Sequence, residues 1–492
     1  MQTRARSRFV VPLIAGLLLI TGNATSDGQT NPPASPSSSQ TPNIILMLAD
    51  DQSWNGTSVQ MHPDLPDSRS SVIETPNLER LAREGMRFSA AYAPAPVCSP
   101  TRASIMTGQT PARLNWTTAA PSRARTDNTK LLTPDSRRDL QNNEITLAER
   151  LQQAGYATAH FGKWHLLGGG PEQHGFKTSD GNLGNEAAAQ FKDPNPVDLF
   201  GMADRAATFM HQSQASDQPF FIQLSWHALH EPENALEATK AKYASETGLR
   251  GRQANRAALS EDLDTAVGRV LNTLDQLGLA KNTYVIYTSD NGGGASPRGP
   301  LSGGKGTLSE GGIRIPFIIR GPGIPPDSWS HTPIVGYDLF PTFLQWARSN
   351  NLPPSLDGVS ITPLLAGQGD RFVRPSKHLL FHFPHYQSQG GPQSAIYLDG
   401  YKLITYYESG DTLLFDISKD IAEQHDLSQA DPRRTASLQR ILANALAQAD
   451  AGMPQINQDY DPSRPHSARS EQRRGQRRET SDQSPRRARQ IP

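Results

Sequence analysis

The residues best suited to chemistry stand around Cys98, the only cysteine of the 492-residue chain. Residues 98–102 read Cys-Ser-Pro-Thr-Arg and follow an apolar, proline-rich approach. This pattern predicts the first turn of a helix, whose free N–H groups and dipole favour an anion. Arg102 would lie one turn further along the same face. An isolated cysteine is more often a buried structural thiol, but these neighbours indicate a site for an anion.

Acidic residues follow two apolar runs that lie far apart in the sequence. The first run predicts a buried strand of a parallel sheet and ends at Asp50 and Asp51; the second leads to Asp290 and Asn291. Taken alone, an acidic pair after a strand is more often a turn or a helix cap. Neighbouring parallel strands would bring their carboxyl ends together. Three carboxylates and one amide would then form an all-oxygen cluster suited to a hard cation such as calcium or magnesium.

Basic residues follow further predicted strands. A short strand runs into Lys163 and His165, whose spacing of two places both side chains on one side of an extended backbone. Another apolar run delivers His227 and His230, and Lys305 lies in a glycine-rich segment. Each of these groups alone is most simply a solvated loop. Together with the cysteine and the carboxylates, they could surround an anion.

These motifs resemble those of the type I sulfatases. Residues 98–102 match the family signature Cys-x-Pro-Ser/Thr/Ala-Arg, in which the cysteine is oxidised after translation to formylglycine. Residues 162–166 resemble the family's Gly-Lys-Trp-His-Leu motif, and residues 304–316 its Gly-Lys-x-x-x-x-Glu-Gly-Gly-x-Arg-x-Pro motif. Residues 416–427 resemble its closing Asp-x-x-x-Asp-x-x-Glu-x-x-x-Leu stretch. The resemblance covers the chain from about residue 42 to residue 449.

One motif departs from the family pattern. Where the family usually has Pro-His-x-Pro, this chain has Leu229 in place of the first proline, and His230 aligns with the histidine. His227 is the less favoured alternative. The departure leaves the backbone path at this point open.

The resemblance implies a sulfuric ester hydrolase with one calcium ion per chain and a formylglycine derived from Cys98. It implies an α/β fold with a large mixed sheet sandwiched by helices, as in alkaline phosphatases and sulfatases, and a smaller C-terminal α+β domain. The implied metal ligands are Asp50, Asp51, Cys98, Asp290 and Asn291. The implied catalytic residues are Cys98, Arg102, Lys163, His165, His230 and Lys305. Either His230 or Lys305 would protonate the leaving oxygen.

The implied partners are a sulfated small molecule or glycan and, during maturation, a formylglycine-generating enzyme; no nucleic acid is expected. In the C-terminal part, His385 and Tyr386 resemble a Pro-His-Tyr segment of sulfatases that act on sulfated glycans, which predicts contact with the sugar. A purely structural turn is an equal alternative there. Two other function classes stay open: a phosphatase or phosphodiesterase of the same fold, and a catalytically inactive binding protein.

Composition divides the chain into five predicted parts: a signal peptide (1–26), a Pro/Ser-rich linker (27–41), a catalytic domain (42–368), a C-terminal antiparallel-sheet domain (369–450) and a disordered basic tail (451–492). Three arginines before a short apolar segment predict export to the periplasm or beyond, without a stable membrane anchor. From residue 463 onward nine arginines stand against three acidic residues. The formal net charge of zero therefore conceals an acidic body.

Helix signals punctuate the predicted catalytic domain. Thr75 is the predicted N-cap of one helix, and Thr146 with Glu149 forms the capping box of another. Ser260 is predicted to begin a third helix with apolar residues at helical spacing. A last helix is predicted over residues 437–449, after several short strands.

Overall fold

The computed structural model of the protein describes residues 40–120, 128–293, 299–387 and 391–464. The predicted signal peptide, most of the linker and the tail beyond residue 464 lie outside these ranges. In chain order the strands are β1 (Asn43–Ala49), β2 (Met86–Phe88), β3 (Ala91–Tyr92), β4 (Leu131–Leu132), β5 (Ala157–Gly162), β6 (Thr178–Ser179), β7 (Phe220–Ser225), β8 (Thr283–Ser289), β9 (Phe317–Arg320), β10 (Ser328–Ser330), β11 (Ile334–Val335), β12 (Leu379–Phe383), β13 (Gln393–Leu398), β14 (Tyr401–Tyr406), β15 (Thr412–Asp416) and β16 (Gln455–Ile456).

Among the described residues, ten α-helices lie between the strands of the larger, N-terminal part, and one more belongs to the smaller C-terminal part. They are α1 (Pro76–Arg83), α2 (Cys98–Thr107), α3 (Pro111–Leu114), α4 (Leu147–Gln153), α5 (Leu199–Ala215), α6 (Glu237–Glu246), α7 (Gly251–Gln276), α8 (Glu310–Ile313), α9 (Leu339–Trp346), α10 (Thr362–Leu365) and α11 (Pro432–Gln448). Across the described ranges, none of the helices has both the length and the apolar character needed to cross a membrane.

The main sheet has eight strands in the order β10-β2-β9-β8-β1-β7-β5-β6. Strands β8, β1, β7, β5 and β6 are parallel, and β9 runs antiparallel to both of its neighbours. The first strand of the sheet in sequence is therefore one of its central strands. The carboxyl ends of the parallel strands lie along one edge of the sheet, and open α/β sheets bind ligands at that edge.

Strand β1 shows why this sheet is covered on both faces. All seven of its residues are buried. Ile45 and Met47 pack into a core shared with α1, α5 and α7, whereas Ile44, Leu46 and Leu48 pack into a core shared with α2, α4 and α9. A strand that is apolar on both faces requires helices on both, as the continuous apolar run predicted.

A four-stranded antiparallel sheet, β12-β13-β14-β15, forms the smaller C-terminal part. One face carries Phe381, Ala395 and Ile404, which pack against residues of the larger part; the other face packs on Leu438 and Leu442 of α11. The predicted fold class, a mixed sheet between helices with a smaller C-terminal α+β part, is confirmed. The predicted boundary at residue 369 stays a prediction.

Two helix starts differ from their sequence signals. Helix α7 begins at Gly251, well before Ser260, whose hydroxyl instead donates to the carbonyl of Arg256 within the helix. Helix α11 begins at Pro432, after the N-cap Asp431. Helix α4 keeps its predicted capping box of Thr146 and Glu149.

The N-cap of α1 differs in kind. Thr75 occupies the cap position, but its side chain makes no capping bond. The carboxylate of Asp264, in α7, accepts instead from the backbone N–H groups of Asn77 (3.0 Å) and Leu78 (2.8 Å). Helix α1 is thus capped by a residue almost two hundred positions away, which no local motif could reveal.

The predicted disordered tail begins too early. Residues 455–456 form β16, which pairs with β4, and the side chain of Asn457 donates to the carbonyl of Thr129 at 2.8 Å. Asp461 N also donates to Asn128 Oδ1 at 2.8 Å. Residues 451–464 therefore belong to the folded body, because backbone pairing compensates for their lack of apolar periodicity.

Candidate active site

Four neighbouring strands deliver the candidate residues to one edge of the main sheet. Strand β1 leads to Asp50, β8 to Asp290, β7 to His227 and β5 to Lys163. Ala49 pairs with Ser289 in the parallel register, so the two acidic segments leave the sheet side by side. The prediction that neighbouring strands unite these carboxylates is confirmed.

Helix α2 carries Cys98 into the same place. Cys98 is its first residue, and every residue of the helix is buried. The Sγ atom lies 3.4 Å from Asp50 Oδ1 and 3.6 Å from Lys305 Nζ. Burial, with the charges of Asp290 and Asp50, raises the pKa of the Cys98 thiol far above its ordinary value. An unmodified thiol here is protonated at neutral pH and is a poor nucleophile.

Three carboxylates and the thiol form a compact cluster. Ligand atoms of Asp50, Asp51, Cys98 and Asp290 lie within 4.8 Å of one another, and all four residues are buried. Asn291 adjoins them, because its Nδ2 donates to Asp51 Oδ1 at 2.7 Å. Its Oδ1 is buried and has no hydrogen-bond partner. Oxygen donors with an unpaired buried carbonyl fit a hard cation such as calcium.

Three cationic side chains balance these carboxylates, and the six residues together are called here the active-site cluster: Asp50, Asp51, Asp290, Arg102, Lys163 and Lys305. Arg102 Nη2 lies 2.8 Å from Asp290 Oδ2, and Lys305 Nζ lies 2.6 Å from Asp51 Oδ1. Lys163 Nζ contacts Asp50 Oδ2. Arg102 Nη1 also donates to the carbonyl of Lys163 at 2.6 Å. Three of the five predicted anion-binding residues, Arg102, Lys163 and Lys305, therefore lie on the carboxylates next to Cys98.

The two innermost carboxylates respond differently to this surrounding. Burial opposes ionisation of Asp50, but Lys163 and Arg102 outweigh it and hold the pKa of Asp50 well below its ordinary value. For Asp290, burial and the neighbouring Asp50 charge raise the pKa despite the contact with Arg102. Adjacent carboxylates in one buried site compete for positive charge, which a bound cation would supply.

Lys163 and His165 reach the site by a path that the sequence reasoning described wrongly. Strand β5 ends at Gly162, so the backbone beyond it is not extended. Gly162 has a φ of 92°, and a Cβ there would lie 2.3 Å from the carbonyl oxygen of Ser225. His165 also has a positive φ, 59°. The positive φ values at Gly162 and His165, rather than an alternation of side chains along an extended strand, therefore mark the backbone that carries Lys163 and His165.

The three candidate histidines differ in exposure and bonding. His165 is buried, with Nε2 at 2.5 Å from the carbonyl of Ala120 and Nδ1 without a partner. His227 is also buried, and its Nδ1 likewise lacks a partner. His230 is only half-buried, and its Nδ1 lies 2.8 Å from the carbonyl of Glu231. His230 interacts electrostatically with Asp50, and His227 interacts with Lys163 and Asp50. Both histidines therefore stay candidates for the site.

The predicted sugar contacts lie on other partners. His385 is buried, and its Nε2 lies 2.7 Å from the hydroxyl of Thr117. The hydroxyl of Tyr386 accepts from Leu131 N at 3.1 Å. These bonds tie the segment to residues 117–132, part of which lies outside the described residues.

One buried residue of the site escaped the sequence reasoning. Arg256, in α7, donates from Nη2 to the carbonyl of Asp51 at 2.7 Å and from Nη1 to the carbonyl of Leu229 at 3.1 Å. It thereby joins the metal-ligand segment to the segment of His230. Placing the helix start at Ser260 hid Arg256; an arginine among the alanines of 254–258 was the available signal.

Comparison with known families gives two matches. Residues 42–349 match the family described as Sulfatase, and residues 304–451 match that described as N-sulphoglucosamine sulphohydrolase, C-terminal. Together they span the main sheet and the C-terminal sheet. Every candidate residue of the active-site cluster lies within the first match.

Individual relatives cover most of the chain. A sulfatase of Formosa agariphila is 31% identical, across 90% of this chain and 94% of its own length. N-acetylgalactosamine-6-sulfatase of Rattus norvegicus is 34% identical, across 74% of this chain and 71% of its own. The crystal structure of Ps i-CgsB in complex with k-i-k-neocarrahexaose has a TM-score of 0.67 and 24% identity, covering 83% of this chain and 93% of that one.

Proposed function

The chain belongs to the sulfatase family and is a sulfuric ester hydrolase, and we propose that it removes sulfate from carbohydrates with a formylglycine made from Cys98 and one bound calcium ion. The observation that supports this most directly is the position of Cys98. It begins a buried helix between three carboxylates and three cationic side chains. A nucleophile at that point has a counter-ion for the sulfate on one side and ligands for a metal on the other.

The proposed cofactor groups supply two properties that the unmodified chain lacks. A hydrated aldehyde at position 98 would provide a hydroxyl nucleophile and a second hydroxyl through which the sulfated intermediate can collapse. Calcium, held by Asp50, Asp51, Asp290 and Asn291 with residue 98, would stabilise negative charge on that hydroxyl and on the sulfate. The raised pKa of the Cys98 thiol gives the chain a reason to need the modification.

The cationic residues would hold the transferring group. Arg102, Lys163 and Lys305 converge on the space around Cys98, where a sulfate ester develops negative charge as its bond to the alcohol breaks. In the described structure their ammonium and guanidinium groups rest on the carboxylates. We infer that Lys163 and Lys305 turn from Asp50 and Asp51 to the sulfate when a cation neutralises these acids.

Proton transfer would fall to residues at the mouth and at the wall of the site. His230 or Lys305 would donate a proton to the departing oxygen, and His165 would help to remove the second proton of the hydrate. Both proposed donors are partly exposed. A leaving-group series separates them: loss of the acid should matter less for a nitrophenyl sulfate than for an alkyl sulfate, because nitrophenolate needs little protonation.

The relatives support carbohydrate sulfates as the substrate class. One is named for a sulfated amino sugar, and one solved structure holds a carrageenan-type oligosaccharide. We also propose that the protein is exported, which rests on the N-terminal sequence alone. Maturation would then need a formylglycine-generating enzyme before or during export.

The test is a matched pair of assays on purified protein. Turnover of 4-nitrophenyl sulfate should greatly exceed that of 4-nitrophenyl phosphate, and sulfated mono- and oligosaccharides should release sulfate. Peptide mass spectrometry should find an aldehyde at position 98 in the active fraction. Faster turnover of the phosphate ester would instead identify a phosphatase, and a free thiol in fully active protein would exclude the formylglycine mechanism.

A further inference from the structure

A second group of buried charges lies next to the loop that carries Lys305. It consists of Glu310 and Arg314, which follow that loop, and Lys402 and Glu423, which belong to the C-terminal part; we call these four residues the bridging cluster. Lys402 Nζ lies 2.8 Å from Glu310 Oε1 and 2.7 Å from Glu423 Oε1. Arg314 Nε lies 2.5 Å from Glu310 Oε2. The side chains are almost completely inaccessible to solvent, at 0% to 3% exposure.

The C-terminal part also bonds directly to the backbone of this loop. Glu423 Oε2 accepts from the N–H of Glu310 at 2.8 Å and contacts the hydroxyl of Ser302. The side-chain oxygen of Gln393, a fully buried residue of β13, accepts from the N–H of Leu308 at 3.0 Å. Residues 302–310 are therefore held from one side by three side chains of another part of the chain.

The other side of the loop meets the active site. Lys305 N donates to the carbonyl of Gly293 at 3.2 Å, and Gly306 N donates to the carbonyl of Pro96, two residues before Cys98, at 2.9 Å. Lys305 Nζ then reaches both Asp51 and Cys98. The loop is a short connection between the bridging cluster and the active-site cluster, so a shift on one side moves the other.

We propose that Lys402, Glu423 and Gln393 are positioning residues of the sulfatase reaction, which act on the sulfate only through the loop that carries Lys305. The inference rests on the proposed role of Lys305 at the sulfate. Glu310 and Arg314 supply the fixed charges on the loop, and Lys402 and Glu423 complete a neutral set. Removing one charge of such a buried set destabilises the fold far more than replacing an oppositely charged pair. The test therefore replaces Lys402 and Glu423 together.

The test is a double-mutant cycle between the positioning residues and Lys305. The first variant, Lys402→Met with Glu423→Gln, removes one charge of each sign; the second is Lys305→Ala; the third combines them. The first variant should lower kcat/KM for 4-nitrophenyl sulfate and raise the dissociation constant of inorganic sulfate, each about tenfold or more, equivalent to about 1.4 kcal/mol. In the Lys305→Ala background the same change should alter both quantities less than about twofold, since residues that act through one group are not additive.

A neutral variant and a matched control guard against general loss of folding. Gln393→Met removes one bond to the loop without changing charge, and should show a smaller loss that also disappears in the Lys305→Ala background. The control is Arg320→Met with Glu84→Gln, a partly buried ion pair at the β8 end opposite Asp290. It should lower thermal stability while leaving kcat/KM and sulfate binding unchanged.

The outcomes separate the two levels of inference. Equal losses with and without Lys305, or no loss with Lys305 present, would overturn the positioning role and leave the cluster purely structural. Sulfate binding reports on the loop even if turnover is absent, so a chain without sulfatase activity would refute the proposed function alone. A loss that occurs when Lys305 is present and disappears in the Lys305→Ala background would establish the positioning role.

Discussion

The active-site cluster and the bridging cluster are both buried and both balanced in charge, but they differ in how completely their atoms are paired. In the bridging cluster every charged group has an opposite charge within 2.8 Å, and Glu423 Oε1, which lies 2.7 Å from Lys402 Nζ, is its one side-chain atom without a well-aligned hydrogen bond. Around the active-site cluster, Asn291 Oδ1, His165 Nδ1 and His227 Nδ1 are buried without a partner. Leaving a buried polar atom unpaired costs about 1–3 kcal/mol, so such atoms are normally satisfied.

This difference in pairing indicates that a ligand binds at the active-site cluster rather than at the bridging cluster. A cluster whose charges are all paired gains little from a further ion and fixes the chain, whereas several unpaired polar atoms next to a charged cluster offer bonds to a ligand. The unpaired atoms lie beside three carboxylates, which a cation would stabilise, and beside cationic groups, which an anion would stabilise.

The largest effect is expected from Cys98→Ala, which removes the precursor of the nucleophile. Turnover of any sulfate ester should fall to the uncatalysed background, because the proposed nucleophile can no longer form. The thermal unfolding midpoint should stay close to that of the wild type, since a small buried side chain is lost. Residual turnover well above background would show that the nucleophile stands elsewhere.

The next effect concerns the proposed metal ligands. Asp290→Asn keeps the shape of the side chain but removes a negative charge, and should lower both calcium content and kcat, the latter by about two to three orders of magnitude, as for the loss of one strong electrostatic contact. Elemental analysis of the purified variant and wild type makes the measurement. Wild-type calcium content in Asp290→Asn would remove this residue from the metal site, and stoichiometric zinc in the wild type would contradict the calcium assignment.

A buried neutral group should respond to pH in a predictable direction. His382 is bonded through Nδ1 to Ser394 and through Nε2 to the carbonyl of Gly452, and burial lowers its pKa to about 4. Because the unfolded chain binds this proton near pH 6.5, acidification favours unfolding from that pH down to about 4. The free energy of unfolding should therefore fall between pH 7 and pH 5, with about 2 kcal/mol due to this residue.

Urea unfolding of wild type and His382→Gln at both pH values isolates that contribution. The variant should lose about 2 kcal/mol less than the wild type on acidification, although it is less stable at pH 7. Other buried histidines titrate in both proteins and cancel in the difference. An equal pH dependence in the two proteins would mean that folding does not lower the pKa of His382.

The smallest predicted effect, and the most selective, concerns His385. If this residue contacts sugar, His385→Ala should reduce turnover of a sulfated saccharide by about one to two orders of magnitude, the loss of one or two hydrogen bonds, while 4-nitrophenyl sulfate is barely affected. The exposed His425 in the same C-terminal part provides the control, His425→Ala. Equal losses on both substrates would assign His385 to folding, which its burial and its bond to Thr117 also fit.

The parts of the fold that follow local rules were predictable from the sequence. Continuous apolar runs predicted β1 and β8, and the rule that parallel strands align their carboxyl ends brought Asp50 and Asp290 together. The capping box of α4 was found because Thr146 and Glu149 are three residues apart. These signals act over a few residues, so a sequence contains them in full.

The predictions that failed concern contacts between residues that are distant in sequence. The cap of α1 comes from Asp264, and the bonds of Arg256 to the site depend on where α7 begins. The order of residues 451–464 depends on pairing with β4. Such contacts are created by the tertiary structure itself, and neither periodicity nor composition marks them beforehand.

The place of β1 in the main sheet bears on how the chain acquires its structure during synthesis. This strand is the first of the sheet to leave the ribosome, yet both of its neighbours, β7 and β8, begin only at residues 220 and 283. A strand apolar on both faces, with two open edges, is prone to associate with other chains. Strand β1 therefore stays unpaired on at least one edge until more than half of the chain has been synthesised. A chaperone that binds unfolded segments would prevent aggregation most effectively during this period.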